Sequence, residues 1–155
     1  RAFFGDGTRL GLPDCSECAV DCVSECFAVL ANAVHAREAF ETVLAALTDP
    51  VNGLIRLLTP PFDGKTRNAV GYIEGYLPGV RENGGQYTHA AAWCIIAACR
   101  LGMADTADSL FKMINPIEHG SANSIERYKG EPYAVAGDVY SVGRLAGRAG
   151  WTLYT

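Results

Sequence analysis

Four things are missing from this sequence, and each absence narrows what the chain can be. No apolar run approaches the ~20 residues needed to span a bilayer, so no transmembrane helix is expected. Basic residues are not in excess. Thirteen Lys and Arg stand against seventeen Asp and Glu, a net charge of −4, which argues against a nucleic-acid or anionic-membrane partner. No stretch alternates apolar and polar residues over strand length, so no half-buried strand is expected. Finally, Arg1 is not preceded by methionine, and the opening residues lack a basic segment followed by an apolar one. No signal peptide is visible, and the expectation is a piece of a longer protein.

What is present is a globular composition. Hydrophobic residues make up 49% and charged residues 19% of 155 positions, enough for one core and too apolar for a disordered chain. Cys15, Cys18, Cys22 and Cys26 invite a metal reading, but their spacings of three, four and four are helical and form one stripe. On a continuous helix Cys15 and Cys26 stand roughly 16 Å apart along the axis, too far for one zinc ion. Together with Cys94 and Cys99, these thiols are expected to be small core residues, with no metal site. Reduced thiols imply a cytoplasmic location.

Apolar periodicity predicts helices over 18–33, His35 to Leu47, Thr88 to Leu101 and Met103 to Ile114, with a fifth from Glu131 to Val142 entered through Pro132. A buried helix alternates with an amphipathic one. The expected fold is all-α, part of an α/α toroid of paired helices. Between the second and third helices runs a long stretch scattered with Gly and Pro, and connections of that length are usually functional.

The end of that stretch, "GYIEGYLPGVRENGGQYTHAAAW", concentrates hydrogen-bonding side chains ahead of an apolar helix. Arg81 offers a planar fork of donors, while Glu82 and Asn83 offer acceptors suited to vicinal hydroxyls. An Arg81–Glu82 ion pair bracing the loop explains the same residues. His89 falls in the first helical turn, where free N–H groups and the macrodipole favour an anion. A histidine bonded only to its own loop fits that position equally well. Tyr76, Tyr87 and Trp93 are suited to stacking on sugars or to packing, with packing favoured for Trp93. Glu131 is explained by helix capping alone, and Trp151, Tyr154 and Thr155 carry little meaning by themselves. Asp21 and Glu25, one turn apart beside the cysteines, repel each other unless something lies between them.

The segments "RAFFGDGTRLG", "GLIRLLTPPFD", "GYIEGYLPGVRENGGQYTHAAAW", "LFKMINPIEH", "RYKGEPYAVAGDVYS" and "GRAGWTLYT", in this order and spacing, resemble glycoside hydrolase family 94 from Arg1 to Thr155. That family comprises inverting β-glucoside phosphorylases and the C-terminal domain of cyclic β-1,2-glucan synthases, and the resemblance is closest to the β-1,2-glucan branch. It implies reversible phosphorolysis, in which inorganic phosphate attacks the anomeric carbon of a β-glucosidic bond and yields α-glucose 1-phosphate. By this resemblance the fold is a partial (α/α)6 barrel, with residues 1–155 the C-terminal part of one catalytic domain. The same resemblance implies that His89 and Thr155 bind phosphate and that Glu82 and Glu131 line the sugar subsites. Arg81, Asn83 and Gln86, in the same loop as Glu82, are expected to face sugar with them. No cofactor other than phosphate is implied. The partners are a β-glucan oligosaccharide and phosphate, and a homodimer of the full-length protein stays open.

The family's general-acid Asp belongs to a Trp-Asn-Asp-type motif expected upstream of Arg1, and the sequence holds no such motif. Around the cysteines, Ala19, Glu25 and Phe27 depart from the Arg, Gln and Trp of the family. Two other classes remain open beside the phosphorylase: a non-catalytic saccharide-binding scaffold, and an inverting glycoside hydrolase that uses water.

Overall fold

A computed structural model describes residues 2–64 and 68–152. Four helices of nine residues or more form its frame: α1 (Cys22–Leu30), α2 (Ala36–Leu47), α3 (Thr88–Arg100) and α4 (Ala104–Ile114). Two single-turn helices follow, α5 (Pro116–His119) and α6 (Ile125–Tyr128). α1 packs on α2 and α3, and α3 packs on α4. α3 can sit between two neighbours because its inward faces carry Ala90, Ala91, Cys94, Ala97 and Ala98. Side chains this small let helix axes approach closely.

The ends of these helices have identifiable causes. Asp21 stops α1 from starting earlier, since its carboxylate accepts the Ser24 N–H at 2.7 Å, satisfying one of the free donors of the first turn. The predicted helix over 18–33 therefore begins four residues late. Cys15 and Cys18 lie outside it, and the four-cysteine stripe shrinks to Cys22 and Cys26. At the other end of the frame, Gly102 and Met103 return their N–H groups to the carbonyls of Cys99 and Ala98 and close α3. Arg37, in the first turn of α2, donates to the Leu101 carbonyl at 3.1 Å, so a cation meets the negative end of α3. Phe40, wholly buried between these helices, contributes roughly 2–3 kcal/mol by leaving water.

The all-α expectation is wrong. Among the described residues about 41% are helical and 13% are strand or bridge, and the fold is mixed α/β. The strands are two residues long: β1 (Ala2–Phe3), β2 (Arg9–Leu10), β3 (Val20–Asp21), β4 (Thr48–Asp49), β5 (Leu54–Ile55), β6 (Leu58–Thr59), β7 (Gln86–Tyr87) and β8 (Asp138–Val139). They pair antiparallel as β1–β2, β3–β6, β4–β5 and β7–β8. Two residues cannot display an alternating pattern, so periodicity misses them. Three of these pairs sit at helix ends: β3 leads into α1, β4 leaves α2 and β7 leads into α3.

The predicted helix from Glu131 to Val142 is also absent. Its middle is β8, whose Val139 is buried with Leu54, Tyr128 and Ala136 in a second small core. A β-branched residue fits that half-covered pairing better than a helix interior. No described helix is long and apolar enough to cross a membrane.

Candidate functional site

The β7–β8 pairing assembles the site. Its register sets Tyr87 opposite Asp138, and the next N–H, that of Thr88, donates to the Gly137 carbonyl at 2.9 Å. The C-terminal segment lies along the other side of β8. Gly150 donates its N–H to the Asp138 carbonyl at 2.8 Å, and Gly137 donates to the Trp151 carbonyl. The Trp151 N–H donates to Asp138 Oδ1 at 2.7 Å. A β-carbon at position 150 would collide with that carboxylate, which explains the glycine there.

Arg81 closes the group. Its backbone has φ 49°, a left-handed turn conformation that a non-glycine residue rarely adopts. Gly85 makes room for it, because a β-carbon there would lie 2.9 Å from both the nitrogen and the carbonyl oxygen of Arg81. The guanidinium lies over the Trp151 ring at 3.5 Å from its centroid, with the Tyr76 ring at 5.2 Å. Arg81 Nη1 donates to the Tyr76 hydroxyl at 3.3 Å. A guanidinium held on an indole face keeps its outer N–H groups available to a ligand.

His89 stands exposed in the first turn of α3, and no side chain caps that helix end. Trp93 donates its indole N–H to His89 Nε2 at 3.0 Å. Indole nitrogen is a donor only, so Nε2 is the accepting nitrogen and the ring proton of neutral His89 sits on Nδ1. Trp93 therefore sets the imidazole tautomer, a role that packing against Phe27 at 5.0 Å did not predict. Tyr87 meets the same imidazole edge-on at 6.2 Å.

Two acids belong to the group. Asp138 is almost wholly buried, and its Oδ2 has no hydrogen-bond partner among the described residues. Burial pushes its carboxyl above the ordinary range, the Trp151 N–H and Arg81 pull it back, and Glu82 pushes it up again. Glu82, half-buried, also has an unpartnered oxygen, Oε2. Asp138 is not among the expected site residues, although a lone carboxylate in the apolar run "AVAGDVYSV" is a signal of a buried polar role.

Other expectations change. Asn83 is wholly buried. Its Oδ1 accepts the Phe62 N–H at 2.7 Å, and its Nδ2 donates to the carbonyls of Phe62 and Tyr76, each at 2.8 Å. Gln86 is also buried, accepting the Ile55 N–H at 2.9 Å and donating to Thr88 Oγ1 at 3.1 Å. Both amides brace the loop from inside. Glu131 is exposed on the turn before β8, its carbonyl accepting the Ala134 N–H at 3.2 Å, and it caps no helix. Thr155 lies outside the described residues. Clefts of about 360 and 500 Å³ are lined by other residues, the first around His119 and Arg127 and the second around Asp6 and Glu17. Among the described residues, the donor set for a metal occurs elsewhere, as Cys22, Cys26 and Cys94 in the helical core.

Comparison with known proteins decides the family. The profile of the glycosyl hydrolase 94 superfamily, catalytic domain, matches residues 1–155. The chain belongs to that family. It is 43% identical over 159 residues to the cyclic β-(1,2)-glucan synthase NdvB of Rhizobium meliloti (strain 1021), which covers 100% of the chain and 6% of that protein. It is 28% identical over 167 residues to an N,N'-diacetylchitobiose phosphorylase of Vibrio furnissii, covering 99% of the chain and 20% of the relative. A solabiose phosphorylase of Paenibacillus borealis is 29% identical over 136 residues, 86% of the chain and 17% of that enzyme. The chain thus spans a fifth or less of the length of these relatives.

Proposed function

We propose that this glycosyl hydrolase 94 chain supplies the phosphate- and sugar-gripping part of an inverting phosphorylase. The substrate is a β-1,2-linked glucan, inorganic phosphate is the co-substrate, and the product is α-glucose 1-phosphate. The observation that carries the reading is His89, exposed at the uncapped start of α3 with its proton directed to Nδ1 by Trp93. An imidazole N–H at the positive end of a helix dipole is a donor suited to a phosphate oxygen. The phosphorylases among the relatives and the glucan synthase at 43% identity support the reaction class and the linkage.

In this reading His89 donates Nδ1–H to the attacking phosphate, and Thr155 joins it there. Arg81, held over the Trp151 ring, presents its remaining N–H groups to sugar hydroxyls, and Glu82 Oε2 accepts from those hydroxyls. Attack by phosphate on the face opposite the leaving oxygen inverts the anomeric centre, as activated water does in an inverting hydrolase. The proton for the leaving oxygen is assigned to no residue of this chain.

The test uses the full-length protein with β-1,2-gluco-oligosaccharides, with and without phosphate. Glucose 1-phosphate formed only when phosphate is present is the expected result, and release of free glucose without phosphate refutes the reading. His89→Ala is expected to raise the KM for phosphate by about 10- to 100-fold, the worth of one charge-assisted hydrogen bond, while the KM for sugar changes little. An unchanged phosphate dependence removes His89 from that role.

A further inference from the structure

Three thiols that phosphorolysis does not use meet where α1 packs on α3. Cys22 and Cys26, one turn apart on α1, and Cys94 on α3 are all wholly buried. Their sulfur atoms lie within 4.8 Å of one another, and the Cys22–Cys26 pair is 3.8 Å apart. All three are free thiols. A single buried cysteine is ordinary core material. Three that converge from two helices, with their sulfurs turned toward a common point, form a ligand set.

The dimensions suit a metal. A triangle of edge about 3.8 Å has its centre about 2.2 Å from each corner, and metal–thiolate bonds run near 2.3 Å. At the 4.8 Å limit the centre is about 2.8 Å from the corners, so closure needs side-chain shifts of about half an ångström. The donor chemistry selects among ions. Structural zinc sites take four ligands in a tetrahedron. The oxygen placed beside this cluster is the Ala90 carbonyl, 3.6 Å from Cys22 Sγ, already close to a thiol and belonging to a helix backbone. An all-thiolate set of three in a dry, apolar surround suits a soft monovalent ion.

We propose that Cys22, Cys26 and Cys94 form a buried three-thiolate site for Cu(I). Each Cu–S bond replaces an S–H bond, and the protons leave to solvent. Copper enters as Cu(I) and stays Cu(I), so no oxidant or reductant takes part. Cys22 lies in the first turn of α1 and Cys26 one turn later, so both sulfurs reach the same side of that helix. Ala90 and Ala91 are buried with the three cysteines in the same apolar core. Bound copper ties α1 to α3.

The experiment adds Cu(I), as its acetonitrile complex without oxygen, to the full-length protein in its reduced form. One equivalent per chain, with thiolate-to-copper charge-transfer absorption and a Tm that rises with copper concentration, is the expected result. The absorption is lost in Cys94→Ala and Cys26→Ala and kept in Cys15→Ser and Cys99→Ser, which lie outside the cluster. Copper X-ray absorption on the unmodified protein decides the matter even if the core variants fail to fold. Three sulfur neighbours support the site. Two sulfurs, nitrogen or oxygen neighbours, absorption that survives Cys94→Ala, or zinc bound in preference to Cu(I) overturns it.

Discussion

Different forces hold the four-helix frame and the loop from Gly79 to Thr88. The frame is held by apolar burial: Phe40, Val43, Leu47 and Leu110 interlock with the alanines of α3. The loop has little apolar surface of its own. It is held by buried amide side chains, Asn83 and Gln86, each spending its hydrogen bonds on distant main chain or on a neighbouring hydroxyl. Apolar packing tolerates rearrangement, since any side chain of similar volume restores most of the energy. A buried amide has no such substitute, because removing it leaves its partners unpaired. The frame can drift in sequence while the loop cannot.

Breaking the frame is the larger perturbation. Phe40→Ala is expected to cost about 3–5 kcal/mol by denaturant unfolding, through lost transfer energy and an unfilled cavity. Asn83→Ala is expected to cost about 2–4 kcal/mol, since it strands the Phe62 N–H and two carbonyls at once. If Asn83 instead faced sugar, that variant would keep its stability and lose only substrate affinity, and the contrast between the two regions would collapse.

α3 belongs to both regions, and Trp93→Phe probes the join. Phenylalanine keeps the ring and removes the N–H that fixes the His89 tautomer. The KM for phosphate is expected to rise a few-fold, well under 1 kcal/mol, with stability unchanged. A fall in stability and no kinetic effect would make Trp93 a packing residue after all.

Asp138→Asn gives the smallest effect, read as a slope. Burial raises the Asp138 carboxyl above its ordinary value, so the folded state holds its proton more tightly than the unfolded state does. That contribution is fully present below the ordinary carboxylate pKa of about 3.9 and is lost as pH rises through the raised value. Asparagine keeps an acceptor for the Trp151 N–H and has no charge to bury. Urea unfolding at stepped pH should show this loss in the native protein and a flatter profile in the variant. Equal slopes would place the carboxylate in water.

How much of this was readable from the chain follows the same division. The four frame helices were found to within a few residues, because amphipathic period is a property of neighbours in sequence. Only Asp21, whose cap delays α1, moved a boundary by a full turn. The loop was located by composition, but its inside and outside were not. Asn83 and Gln86 look like ligand-facing groups until their burial is seen, and Asp138 looks like nothing until Trp151 is beside it. "EPYAVAGDVYS" passes for a helix because the partner that makes it a strand, β7, lies about fifty residues earlier.

Asn83 and Gln86 also change how the loop can be inherited or moved. Their partners, Ile55 and Phe62, lie on a separate stretch of chain more than twenty residues away. Anyone grafting residues 79–89 onto another scaffold would transplant a shape without its mould. The unit of exchange is the loop together with residues 54–62, and recombination between relatives should preserve the two as a pair.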